Sequence, residues 1–123
     1  MKNLLITLML ISPFSFADWG DVYYCQMTTL SQTTLEGERT DYKLEKFTFK
    51  LDKTKNAMVF GDRGTFKIHP NLKLGQIDSL DPSKESWFAN SKIGTSFFKE
   101  GKLLYSFVIP KTGTTISADC EKF

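Results

Sequence analysis

Residues 42–51 read Tyr-Lys-Leu-Glu-Lys-Phe-Thr-Phe-Lys-Leu, and from Lys46 apolar and polar side chains alternate. On an extended chain Phe47, Phe49 and Leu51 share one face and Lys46, Thr48 and Lys50 the other. That is the period-2 signature of a strand with one buried side. The pattern predicts a strand over Tyr42–Leu51 whose three apolar residues are buried together. A slip of one residue would invert every face.

The same grammar extends outward in both directions. Val22–Leu30 is a β-branched and aromatic run, followed by a polar loop, Thr33–Asp41, around Gly37. Asp52–Asn56 is a turn into a short strand, Ala57–Phe60; Gly61–Gly64 leads into Thr65–Ile68; and Leu72–Ile77 follows Pro70. After a turn at Asp81-Pro82-Ser83 come Ser86–Ala89, Thr95–Lys99, Lys102–Ile109 and Thr114–Cys120. Glu100-Gly101 is a two-residue connection of the kind that makes tight hairpins. Sustained apolar spacing at i, i+3, i+4 and i+7 is missing throughout, so helix is minor. Short strands between turn signals predict an all-β domain, either an antiparallel meander closing as a small barrel or a two-sheet β-sandwich.

The chain has two cysteines, Cys25 in the first predicted strand and Cys120 in the last. An even count in an exported protein suggests a disulfide, the alternative being two buried free thiols. A bridge needs the two Cα atoms within roughly 7 Å, so pairing makes the first and last strands neighbours and favours closure. Cys120 shares its face with Ile116 and Ala118, opposite Thr115, Ser117 and Asp119.

Export is read from residues 1–17, MKNLLITLMLISPFSFA. Lys2, the apolar run Leu4–Ile11, Pro13 and the small residues Ser15 and Ala17 have the order of a cleavable signal peptide. The run is far shorter than the ~20 residues of a membrane-spanning helix. The reading is therefore a signal peptide over 1–17 and a single β-rich domain over 18–123, periplasmic or secreted, with no transmembrane segment after cleavage. An uncleaved anchor and an internal core helix are the competing readings. Residues Val22-Tyr23-Tyr24 before Cys25 do not form a lipobox.

Loss of Lys2 with the leader lowers the formal charge from +2 to +1, which gives no electrostatic case for nucleic acid. His69 is the sole histidine and precedes a proline; no G-x-S-x-G elbow marks a serine partner. One His and two distant Cys do not suggest zinc, and Asp52-x-Thr54-x-Asn56 lacks the Gly and Glu that would complete a calcium loop. Neither metal, cofactor nor catalytic residue is expected. The carboxylates Glu36, Glu38, Asp41, Asp62, Asp78, Asp81 and Glu85 read as turn residues, and a carboxylate-based hydrolase is the least favoured reading.

The mature segment holds nine Phe, four Tyr and two Trp. Trp87-Phe88 and Phe97-Phe98 put adjacent rings on opposite faces, so one of each pair is interior. Together with Lys46 and Lys50, a candidate patch for an acidic or phosphorylated group, Trp87, Phe88, Phe97 and Phe98 make the candidate binding surface. A lipid-facing barrel is excluded because Thr115, Ser117, Asp119 and Glu121 share parity with the terminal Phe123. Asp18-Trp19-Gly20 does not match the lipocalin G-x-W.

Tyr24-Cys25 near the start and Cys120 near the end resemble the small periplasmic inhibitors of C-type lysozyme, which implies a compact β-barrel. The inhibitory loop motif of that family is not recognisable, so the likeness is one of fold. The expected function is a non-catalytic binding or inhibitor-like accessory protein acting on an extracytoplasmic protein or envelope component. A small barrel holding an apolar ligand is the alternative. Native exported material is expected to begin at Asp18 on N-terminal mass analysis; soluble, folded protein retaining Met1 would refute the leader assignment.

Overall fold

The computed structural model describes residues 17–122, so the leader assignment lies, apart from Ala17, outside the described residues. The polypeptide forms β1 (Val22–Thr34), β2 (Arg39–Asp41), β3 (Lys46–Asp52), β4 (Ala57–Phe60), the short helix α1 (Gly64–Ile68), β5 (Leu74–Asp81), β6 (Ser86–Asn90), β7 (Gly94–Lys99), β8 (Lys102–Ile109) and β9 (Thr112–Lys122). From β3 onward each strand pairs antiparallel with the next, and β1 pairs with β9. Eight strands, β1 and β3–β9, thus close into an antiparallel barrel. Of the two expected architectures, it is the barrel.

β1 is long enough to serve three partners. Its first half pairs with β3 from Val22↔Lys50 to Gln26↔Lys46, and its second half pairs with β2 from Ser31↔Asp41 to Thr33↔Arg39. Its other edge runs against β9 along its length, from Tyr23↔Lys122 to Thr34↔Thr112. Where β1 leaves β3, its second half turns into β2, and the β1–β2 hairpin forms a flap at this end of the barrel. Bulges at Thr28 and Asp78, each an extra residue opposite a regular partner strand, bend the sheet as closure requires. Glu100 and Gly101 both take positive φ, the primed turn whose twist suits a hairpin. At Gly94 a Cβ would lie 2.5 Å from the Ser106 carbonyl oxygen, so β7 and β8 approach more closely than a side chain allows.

The lumen is filled with rings. Toward the end at which β1 begins, Tyr23 stacks on Phe49 (4.8 Å between centroids) and Trp87 on Phe98 (4.3 Å). Toward the other end Phe60 stacks on Phe66 (4.3 Å), with Phe47 and Tyr105 packed around them. Phe49 against Phe60 joins the two layers. Phe47, Phe49 and Leu51 are all buried while Lys46 and Lys50 are exposed, so the register read from the alternation is the observed one.

Several segments depart from the sequence reading, among them the strand expected at Leu72–Ile77, which runs from Leu74 to Asp81 because Leu72 is taken by a 3₁₀ turn. The strand expected at Thr65–Ile68 is α1, because closing the barrel mouth requires Phe66 to lie on Phe60 and Tyr105, and a helical turn does this while leaving Ile68 outside. Tyr42–Leu51 is not one strand: β3 starts at Lys46, and Tyr42 and Leu44 lie in the connection from β2. The loop Thr33–Asp41 is a hairpin, and β1 and β9 both run further than expected.

Cys25 and Cys120 face each other in the β1–β9 register and form a disulfide, with Cα atoms 4.0 Å apart across 95 residues. Such a bridge is compatible with an oxidising compartment. Cys25→Ser, Cys120→Ser and the double variant are each expected to lose about 2–5 kcal/mol, by similar amounts, read from urea midpoints. A wild type that unfolds identically with and without reductant would contradict this.

Candidate functional site

The six residues proposed for a binding surface do not form one. Trp87 and Phe98 are core, packed on Tyr23 and Phe49, because the inward parity of β6 and β7 falls on them. Phe88 and Phe97 are their outward neighbours; the two rings lie 4.6 Å apart on the outer wall, in register with the half-exposed Leu104. Lys46 and Lys50 project from β3, which β4 and β5 separate from β6.

A different site emerges at the barrel end where the chain leaves the meander twice. One departure is the β1–β2 flap, held by Leu35 N–H donating to the Lys111 carbonyl (3.2 Å) and Tyr42 N–H to the Leu30 carbonyl (2.8 Å). The other is the connection from β4 to β5, which contains α1 and a 3₁₀ turn, Pro70–Leu72. Glu45 ties the two together: its Oε1 accepts from the Thr65 backbone N–H (3.1 Å) and hydroxyl (3.0 Å). Between flap and helix lies a cleft of about 310 Å³. Leu30 and Phe107, both core residues, reach its lining, with Tyr42 and Ile68 beside them.

Ile68 is 71% exposed and Tyr42 half-exposed, an arrangement that burial alone does not favour. The Tyr42 hydroxyl donates to Gln32 Oε1 (2.9 Å), which fixes the ring on the flap. Lys43, Glu45 and His69 supply polar groups at the cleft. The His69 ring packs 5.8 Å from Phe107 and makes no side-chain hydrogen bond to a hydroxyl or thiol among the described residues. Nothing in this arrangement activates a nucleophile. Chemically the cleft offers apolar contact with a polar margin.

Glu85 occupies the turn that the sequence assigns it, in a left-handed backbone conformation, and is in addition buried, at 6% exposure. Its Oε2 accepts from the Tyr23 hydroxyl at 2.8 Å, at the barrel end opposite the cleft. It faces a phenol rather than a second carboxylate. Among the described residues no three His, Cys, Asp or Glu converge as a metal site would require.

No family model matches this chain, and no curated protein and no solved structure matches it either. The barrel architecture is the one that the lysozyme-inhibitor likeness implies, and a shared architecture carries no activity with it.

The buried phenols make the stability of the fold sensitive to alkaline pH. Tyr105 donates to the Leu72 carbonyl (3.1 Å), and burial pushes its pKa up to about 12. Tyr23 is raised above its ordinary value too, first by burial and then by its hydrogen bond to Glu85. An unfolded tyrosine ionises near 10. Stability from each group is therefore complete below pH ~10 and declines as the pH climbs, by up to ~1.4 kcal/mol per pH unit per tyrosine. For Tyr105 that decline ends near 12. Urea midpoints should fall across this range, and Tyr105→Phe should flatten the fall; a wild-type midpoint constant from pH 9.5 to 11.5 would contradict the assignment.

Proposed function

We propose that the protein is an exported, non-catalytic binding module, working in the periplasm or outside the cell. In this reading the cleft between the β1–β2 flap and α1 receives an apolar-anchored segment of an extracytoplasmic protein or envelope component. The observation that carries it is the meeting of exposed Tyr42 and Ile68 over Leu30 and Phe107 in a cleft built by the two insertions in an otherwise regular meander. Binding loops on a rigid scaffold commonly occupy such a position. An inhibitor-like action is one form that such binding takes.

Two features weigh against the alternatives. An apolar ligand inside the barrel would have to displace Trp87, Tyr23, Phe49, Phe60 and Phe66, all almost wholly buried. A paired-carboxylate hydrolase has no support in Glu85, whose partner is Tyr23.

Benzophenone placed at position 68 should crosslink in cells to a discrete envelope or extracytoplasmic protein, and the crosslink should disappear with Tyr42→Ser. With that partner purified, Ile68→Glu should weaken binding by about tenfold or more, about 1.4 kcal/mol, and leave the thermal midpoint unchanged. Crosslinking confined to a benzophenone at position 88 would place the site on the β6–β7 wall instead.

A further inference from the structure

A second groove, of about 440 Å³, crosses the outer wall of β1, β3 and β9, away from the cleft and independent of its reading. Two cross-strand rungs span it. Tyr24 lies between Thr48 and Glu121, and Gln26 between Lys46 and Asp119. Arg63, from the connection before α1, joins Lys46 in its lining. Tyr24 is half-exposed and stands mid-groove, since β1 lies between the other two strands.

The charges are arranged and only partly spent. Asp119 is taken by Lys102 at 2.6 Å. Lys46 and Arg63 have no ion-pair partner among the described residues, which leaves two cations and the Glu121 carboxylate uncompensated. The Gln26 amide nitrogen is held by the Met27 and Glu45 carbonyls at 3.1 and 3.4 Å, so its oxygen is the acceptor it can offer. Apart from Cys25 and Phe47, whose side chains are buried in the core, the lining is polar, charged or phenolic. A docked peptide usually anchors through an apolar side chain in a pocket, and the apolar residues here are committed to the core. A pyranose suits the set better. Its C–H face lies on an aromatic ring, its hydroxyls meet carboxylate and amide oxygens, and an acidic substituent pairs with lysine and arginine.

We infer that this groove binds an anionic oligosaccharide, with one sugar ring on Tyr24, its acidic group at Lys46 and Arg63, and its hydroxyls toward Glu121 and Gln26. The test is an amide chemical-shift titration of the full chain with three probes: tetragalacturonate, neutral chitotetraose and a tetraglutamate peptide. Tetragalacturonate should move the amides of Tyr24, Thr48, Arg63 and Glu121 and should bind less well as salt is raised. Lys46→Gln with Arg63→Gln should weaken it about tenfold or more, and Tyr24→Ala by a similar factor, while Tyr24→Phe retains it. All three substituted positions are exposed, and the dispersion of each spectrum reports folding; the Lys46/Arg63 pair carries the test should Tyr24→Ala disturb β1. Tetraglutamate binding as well as the sugar, with Tyr24→Ala harmless, would reduce the groove to a basic patch and overturn the inference. So would chitotetraose binding indifferent to the cation variants, or no shift with tetragalacturonate at millimolar concentration.

Discussion

Pairing between β1 and β9 is the constraint on which the remaining structure depends. Without it the strands from β3 to β9 would form an open meander with an unpaired edge at each end, and open edges invite pairing with other chains. The seam runs almost the whole length of both strands and carries the Cys25–Cys120 bridge near its lower end. Because that bridge joins residues 95 apart, it restricts most of the unfolded chain and holds together the pair with the longest sequence separation, whose loop closure costs the most entropy.

Closure at this strand number leaves a lumen that side chains can fill, and here aromatic rings fill it. The consequence is functional. With the lumen occupied, recognition has to use the ends or the outer wall, and the chain has elaborated both. At one end the flap and α1 lean together through Glu45 and Thr65. On the wall, the point where β3 parts from β1 is also where cations and carboxylates border Tyr24. The opposite end carries the Tyr23–Glu85 hydrogen bond, a buried polar contact that is costly to leave half-made.

Several of these features had a trace in the sequence that local reading did not resolve. Tyr42 and Leu44 occupy even positions and Phe47, Phe49 and Leu51 odd ones, so the apolar phase changes between Leu44 and Phe47. That change marks the point where one element ends and the next begins, and it leaves Tyr42 and Leu44 exposed. Thr65–Ile68 alternates as a strand does, yet the spacing of Phe66 and Ile68 serves a helix equally when one must plug the barrel and the other must face out. Glu85 gave no signal at all. Its burial follows from the 3₁₀ turn before it, Pro82–Lys84, and from Tyr23, 62 residues away.

What the sequence determined by itself is the alternation that makes this an all-β chain, the inward face of β3, the face that Ile116, Ala118 and Cys120 share, the hairpin at Glu100-Gly101 and the expectation of a disulfide between its two cysteines. Each of these rests on neighbouring residues, or on two thiols with no other partner. The tertiary structure decided the closure register, the burial of Trp87 and Phe98 against the outward placement of Phe88 and Phe97, and the helix at the barrel mouth. It also decided the convergence of Tyr42 and Ile68 and the meeting of Lys46, Arg63, Tyr24 and Glu121. The physical reason is common to all of them: alternation fixes that a strand has two faces, whereas which groups from distant strands share a surface depends on how far each strand is staggered when the sheet closes.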